Sequence, residues 1–279
     1  LEVMAQYLDC YGSDGVTALS NYRYDDSRVK DVFEAVWTQM YKNISNVNAV
    51  LQCEIVKGAT DYPGTIYKGE ALGLRAFMHF DLLRIFSEQI TQNPEAEGIP
   101  YATEFSLNTP SFQPAKKVYE LILGDLLEAE RLLTDEKQYE GSTAFMTDRK
   151  IHFNLHAVRA TLARVYLSMG DKDNALIYAQ KVIDESGRRL SEKTEVVGDL
   201  AGVLSNNETI FGVYYAEFYS LVSPKLQKTV SFSSLDPRKD IMDFYEADVV
   251  GLDFRAAAYL TAVGADSRVG YRLSKLTDS

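Results

Sequence analysis

Apolar positions recur along the first part of the chain at steps of three and four. Phe33, Trp37, Met40, Ile44, Val47, Leu51 and Ile55 form the set between residues 29 and 55, the spacing that lines one face of a helix. It predicts a long amphipathic helix. "KGATDYPG" (57–64) then supplies Gly, Asp and Pro, a turn signal. A second helix follows in "YKGEALGLRAFMHFDLLRIF" (67–86). Two long helices joined by so short a turn are expected to lie antiparallel.

In the second helix Gly69, Gly73, Ala76, Phe80 and Leu83 share a face. Each interior glycine costs roughly 1 kcal/mol against alanine, a cost that close approach of a neighbouring backbone would explain. The same helix carries Arg75 with His79 and Asp81 with Arg84, at separations that let helix side chains pair. No nucleophile or metal partner converges on them. They read as paired charges along the edges of a packed helix, not as a catalytic row.

Residues 86–114 are polar and interrupted by Pro94, Gly98, Pro100, Pro110 and Pro114. They read as a long irregular connection, the kind that is usually functional or partly mobile. Helix resumes at Ala115, just after Pro114, with Val118, Leu121, Ile122, Leu126, Ala129 and Leu133 as its apolar face. "YEGSTAFMTDRK" (139–150) is the next connection. Residues 154–186 then read as a helical hairpin: Asn154 as N-cap and Gly170-Asp171 as the turn. Ala163, Tyr166, Gly170, Ala175 and Ala179 fall at tetratricopeptide-type positions. Ala163 is expected to be buried between the two helices, with Tyr166 filling their groove. One hairpin cannot bury its own face, so the 29–86 pair is expected to stack on it.

Past Gly187 the helical period fades. Thr209–Tyr215 is the clearest strand candidate, and Asp236-Pro237 is expected to open a short helix to about Tyr245. The predicted fold is therefore mainly α: a tetratricopeptide-like helical-repeat scaffold over 29–186, then a loop-rich part with minor strands over 187–279.

Composition narrows the function. The 279 residues carry 29 Lys+Arg against 40 Asp+Glu, a net charge of -11. Without a basic cluster, nucleic acid is a poor partner. No apolar run reaches the roughly 18 residues a membrane span needs. The start LEVMAQYLDCYG lacks a basic start, a continuous apolar stretch and a small-residue cleavage site, so any signal peptide of the natural protein is expected to have been removed. Cys10 and Cys53 could form one disulfide, but they read as two free, partly buried thiols. His152 and His156 stand four apart across a predicted helix start without sharing a face, and with His79 they make no metal set. No phosphate-binding, dinucleotide or nucleophile-elbow motif occurs. Neither a cofactor nor a catalytic residue is predicted, and the carboxylates read as solvated surface.

Eighteen tyrosines remain, and tyrosine's flat apolar face and polar tip suit sugars or peptides. "SNYRYDDSR" (20–28) sets Asn21, Tyr22, Arg23 and Tyr24 in a polar loop, and "YYAEFYS" (214–220) holds Tyr214, Tyr215, Phe218 and Tyr219. Loop tyrosines are usually half-buried anchors. Rings left exposed beside Arg and Asn would orient a sugar.

Six segments taken together resemble the SusD/RagB family of outer-membrane nutrient-binding lipoproteins. They are "VWTQMYKNISNVNAVLQ" (36–52), "GEALGLRAFMHFDLLRIF" (69–86), "DLLEAERLL" (125–133), "LARVYLSMGDKDNALIYAQKVI" (162–183), "NNETIFGV" (206–213) and "FYEADVVGLDFR" (244–255). Members normally begin with a lipid-modified cysteine and continue past the last of these segments. The chain therefore reads as one SusD-like domain incomplete at both ends, or as an unusually short member. The resemblance implies a non-catalytic, surface-exposed lipoprotein of the outer membrane, joined to it only by a lipid anchor absent from this chain. Such a protein captures oligosaccharide, or sometimes peptide, and passes it to a SusC-like TonB-dependent transporter. The resemblance also implies ligand contacts from the loop before the first long helix. The expected ligand-binding residues are Asn21, Tyr22, Arg23, Tyr24, Tyr215, Phe218 and Tyr219. A helical-repeat adaptor that binds only protein is the alternative; an unrelated glycoside hydrolase is the remote one.

Overall fold

The structure is a computed structural model that describes residues 15–108, 110–192, 207–213, 215–217 and 220, and the backbone of 8–10, 235–237, 260–263 and 270–273. In chain order the elements are β1 (Leu8–Cys10), α1 (Gly15–Ser20), α2 (Ser27–Gln52), α3 (Glu54–Lys57), α4 (Gly64–Phe86), β2 (Glu97–Pro100) and β3 (Phe112–Pro114). They continue with α5 (Ala115–Leu133), α6 (Leu155–Ser168), α7 (Lys172–Glu185), β4 (Leu235–Pro237), β5 (Leu260–Val263) and β6 (Gly270–Leu273). Three short 3-10 helices punctuate the connection between α5 and α6. The protein is mainly α.

The chain divides into two compact units, one made of Val36–Arg188 with Ile210–Val213, the other of Leu1–Ala35, Arg189–Thr209 and Tyr214–Ser279. In the first, each long helix lies antiparallel to the next. Trp37 meets Phe86 (ring centroids 4.9 Å apart) while Asn48, further along α2, meets Arg75, earlier along α4 (3.1 Å). The same inverse order places Gly69 beside Leu133 and Phe80 beside Tyr119 across α4 and α5. Between α5 and α6 it pairs Tyr119 with Ser168 (2.8 Å) and Glu130 with Arg159 (2.8 Å). Tyr166 stacks on Tyr178 across α6 and α7 (5.6 Å, 12°). Phe80, Leu83, Ile99, Ile122, Leu126 and Phe153 lie in the resulting core, each almost fully buried.

Local signals formed as read. The Asn154 side chain accepts from the Ala157 N–H (3.0 Å), capping α6, and Asp171 does the same for α7 from Asn174 (3.1 Å). Gly170 has φ +80°, a conformation that a side chain would strain. The first stripe holds as far as Leu51. Ile55 departs from it: Cys53 is extended (φ -60°, ψ 137°), which resets the helical phase, and Ile55 in α3 is exposed. Cys53 is a free thiol and exposed rather than partly buried, while the side chain of Cys10 lies outside the described residues.

Four tertiary expectations need correction. The atoms that crowd Gly69 and Gly73 belong to side chains, not to a neighbouring backbone. A Cβ on Gly69 would sit 2.7 Å from Leu133 Cγ, and one on Gly73 2.6 Å from Phe153 Cδ1. Ala163 is partly rather than fully buried. Residues 86–108 and 110–114 are held by the antiparallel β2–β3 pair and by buried Ile90, Ala96, Ile99 and Tyr101. Thr209–Tyr215 contains no strand among its described residues. Its backbone finds partners in the approach to α6 instead, with Ile210 O accepting from Asn154 Nδ2 (2.9 Å) and Gly212 N donating to Lys150 O (2.8 Å). Phe211 then packs edge-on against Phe153 (5.1 Å).

Of the other unit, β1 pairs antiparallel with β4, and β5 with β6. Asp236 and Pro237, expected to open a helix, lie in β4; residues 238–245 fall outside the described residues.

Candidate functional site

The polar row on α4 resolves into a closed network. Arg75 grips Asp125 of α5 with Nε and Nη2, both at 2.7 Å, and sends Nη1 to Asn48 Oδ1 (3.1 Å) and Thr103 O (3.3 Å). Tyr101 donates its hydroxyl to Asp125 Oδ2 (2.5 Å). His79 accepts the Ala102 N–H at Nε2 (3.0 Å), so Nδ1 carries the proton that reaches Arg75 O (2.8 Å). Burial lowers its pKa to about 3, so the ring is neutral at physiological pH. Tyr101 stacks on it at 4.0 Å. Tyr41 and Asn48 donate to the carbonyls of Pro100 (2.7 Å) and Ala102 (3.0 Å).

The network therefore fastens residues 100–104 to α2, α4 and α5. Arg75 and His79 are buried, not ranged along a helix edge, and pair through a backbone carbonyl rather than side chain to side chain. Only Asp81–Arg84 (2.7 Å) is the exposed pair that the spacing implied. Every group in this network spends its hydrogen bonds inside the protein. It is architecture.

His152 belongs to a second buried cluster. Arg149 Nη2 lies 2.5 Å from both Glu70 and Glu136, His152 Nδ1 lies 3.3 Å from Glu70, and Glu136 accepts the Leu155 N–H (2.7 Å) at the start of α6. Burial raises the Glu70 pKa against the pull of Arg149. Among the described residues, no group of three or more His, Cys, Asp or Glu could hold a metal ion.

The candidate ligand residues sit elsewhere. Helix α1 ends at Ser20, and residues 21–26 form the turn into α2. Asn21 Nδ2 caps the Thr17 carbonyl (2.8 Å), while Tyr22 N and Arg23 N bond back to Leu19 O and Ala18 O, each at 3.0 Å. Tyr22 adopts φ +54°, which costs a side-chain-bearing residue of order 1 kcal/mol. The rings of Tyr22 and Tyr24 lie 6.3 Å apart at 47°, and they are 47% and 48% exposed, enough to present an apolar face. Phe33 backs Tyr24 at 6.0 Å.

Asp26 anchors the turn. It accepts from Arg28 N (3.0 Å), Nε (3.0 Å) and Nη2 (2.7 Å), and from Arg23 Nη2 (3.4 Å). Hydrogen bonding to Arg28, helped by both positive charges, holds its pKa down at about 2. Asn21, Tyr22, Arg23 and Tyr24 are thus brought together in one turn. Tyr215 is also half exposed, with its hydroxyl 3.3 Å from Glu217. Phe218 and Tyr219, with Tyr214, lie outside the described residues. Sequence reading missed Phe33 as a backing ring, because it was already assigned to the helical stripe. It missed Asp26 too, although a carboxylate just before a helix start is an N-cap signal.

Comparison with known proteins agrees with this architecture. No curated protein matches the chain. A SusD superfamily protein from Bacteroides vulgatus superposes with TM-score 0.78 at 18% identity, over 98% of this chain and 63% of its own. A SusD-like carbohydrate binding protein from the same species gives 0.74 at 20% identity, over 98% and 58%. Surface glycan-binding protein A from Bacteroides uniformis gives 0.72 at 17% identity, over 99% and 62%. At such identities the likeness establishes the fold. The chain spans between about half and three-fifths of the length of the solved relatives it matches. The family described as SusD-like, "Starch-binding associating with outer membrane", matches residues 7–167. That segment contains the aromatic turn, the α4 network and all of α6 but its last residue, and with more than half of its 279 residues matched the chain belongs to the SusD-like family.

Proposed function

We propose that this chain is a non-catalytic glycan-binding protein of the outer-membrane surface, which captures oligosaccharide and passes it to a TonB-dependent transporter. The observation that carries the reading is the pair of half-exposed rings, Tyr22 and Tyr24, held in one turn inside the family-matched segment. The names of the solved relatives, carbohydrate-binding and glycan-binding proteins, support it.

A pyranose laid on either ring removes apolar surface on both partners from water. At ~25 cal/mol per Å², one ring contributes roughly 1–2 kcal/mol. Two or three rings then give affinities between about micromolar and millimolar once association costs are met. Such affinity suits capture followed by release. In this reading the segment around Tyr215, Phe218 and Tyr219 supplies the remaining contacts.

The test is a glycan screen followed by calorimetry. Against the glycan bound best, Tyr22→Ala/Tyr24→Ala is expected to weaken binding at least about thirtyfold. Full affinity with the fold intact would make these rings structural anchors. Incubation with a panel of polysaccharides is expected to release no reducing ends above a buffer control. Release that survives repurification and disappears on mutating one carboxylate would overturn the non-catalytic reading. The adaptor alternative draws on a different observation, the exposed Leu176, Ile177 and Ile183 of α7. Binding of protein but of no glycan would favour it.

A further inference from the structure

We propose that Glu70, Glu136, Arg149 and His152 form a proton-operated latch, which takes up one proton in mild acid and then holds residues 210–213 more firmly at the approach to α6. Glu70 comes from α4, and the other three come from the connection between α5 and α6. The Glu70 and Glu136 side chains are only 11% and 9% exposed, and both carboxylates meet the same nitrogen, Arg149 Nη2, at 2.5 Å. Nε and Nη1 of that guanidinium are buried and have no hydrogen-bond acceptor among the described residues. One cation thus faces two anions through a single nitrogen. With His152 neutral, the cluster is left with one negative charge in excess. Water is largely shut out, so the excess is unfavourable, and a bound proton cancels it. His152 Nδ1 lies 3.3 Å from Glu70 Oε2, so an imidazole nitrogen and a carboxylate oxygen can share that proton.

The charged groups around the cluster do not supply the missing charge. His156 of α6 is kept neutral by burial first, then by Arg159 and Arg188, against the pull of Glu136 and Glu185. Arg159 is itself engaged by Glu130 and Glu185. Burial raises the Glu70 pKa, against Arg149 and then His152. The stretch that carries the cluster also anchors the segment. Asn154 Nδ2 donates to both Arg149 O (2.8 Å) and Ile210 O (2.9 Å), and Gly212 N donates to Lys150 O (2.8 Å). Repulsion inside the cluster therefore bears on residues 149–154, the ones that hold 210–213. A carboxyl whose folded pKa lies above its unfolded value stabilises the fold fully below the unfolded value, and that contribution is lost as pH rises through the folded one. The latch is thus firm in mild acid and loosens towards neutrality. His79 runs the other way: with its pKa lowered from 6.5 to about 3, the stability it lends falls as pH drops below 6.5. His156 acts in the same sense as His79. Only a difference between wild type and a latch variant isolates the effect.

Glu70→Gln keeps the shape of the protonated acid and cannot ionise. Urea midpoints of wild type and variant are compared between about pH 5 and 7.5. Wild type is expected to lose stability relative to Glu70→Gln as pH rises. Amide exchange at Gly212, corrected for the intrinsic effect of pH, reads the segment itself. In wild type its protection is expected to fall severalfold over that range relative to buried Leu162 of α6, and in Glu70→Gln to stay level. Glu136→Gln relieves the same excess through the other carboxylate, keeps an acceptor for the Leu155 N–H, and is expected to flatten both curves. It carries the comparison if Glu70→Gln does not fold. Midpoints that run parallel in wild type and variant overturn the proton uptake. Gly212 protection that follows Leu162 at every pH overturns the latch.

Discussion

Asp125→Ala is expected to destabilise the protein by about 3–5 kcal/mol, the cost of stranding one member of a buried ion pair. The Arg75 side chain is 9% exposed, and both its Nε and Nη2 bonds end on Asp125 at 2.7 Å. Without that carboxylate, the guanidinium keeps only Asn48 and the Thr103 carbonyl. The Tyr101 hydroxyl loses its acceptor as well. Since Tyr101 stacks on His79, which in turn holds the Ala102 N–H, the loss should spread to residues 100–104. Urea unfolding measures the effect. Arg75→Met/Asp125→Leu provides the control: it still costs the Tyr101 hydroxyl its acceptor and Asn48 Oδ1 its donor, but it leaves no buried charge unpaired and should cost less than the single change. A single variant as stable as wild type would show that the network is not shut away from water.

The second large effect lies where α4 meets the start of α6. Phe153→Ala should cost about 3–5 kcal/mol, since the ring is almost wholly buried and leaves a cavity on truncation. Gly73→Val should cost about 1–3 kcal/mol by overpacking, because an added Cβ would stand 2.6 Å from that same ring. The two changes touch one volume, so they should couple: the valine partly fills the space the phenylalanine vacates, and the double variant should be more stable than the sum predicts. Thermal or urea midpoints of all four proteins give the coupling. Simple additivity would show that Gly73 is not present to admit Phe153.

Helix positions were legible because their causes are local. Stripes at steps of three and four, the Asn154 cap, the Gly170-Asp171 turn and Pro114 before α5 each act within a few residues. The same locality let the polar turn at 20–26 and its exposed tyrosines stand out, though not the Asp26 clasp that shapes it. An interior glycine also marks a close approach, but not which group approaches.

Partners far along the chain were not legible. Arg75 and His79 stand four apart, as two groups on a helix edge would. Their burial depends on Asp125 and Tyr101, which α5 and the β2–β3 connection bring in. Thr209–Tyr215 has strand-like composition, yet strand formation needs a second edge, and the backbone at Ile210 and Gly212 bonds instead to residues 150–154. In this protein, then, period, caps and turns in the sequence determined where helices begin, end and turn. Tertiary structure decided which polar groups are buried, what fills the space above Gly73 and how residues 86–108 and 110–114 are held. The reason is physical: a helix closes its own hydrogen bonds locally, whereas a buried charge or an unpaired backbone group takes its partner from whatever the packing sets against it.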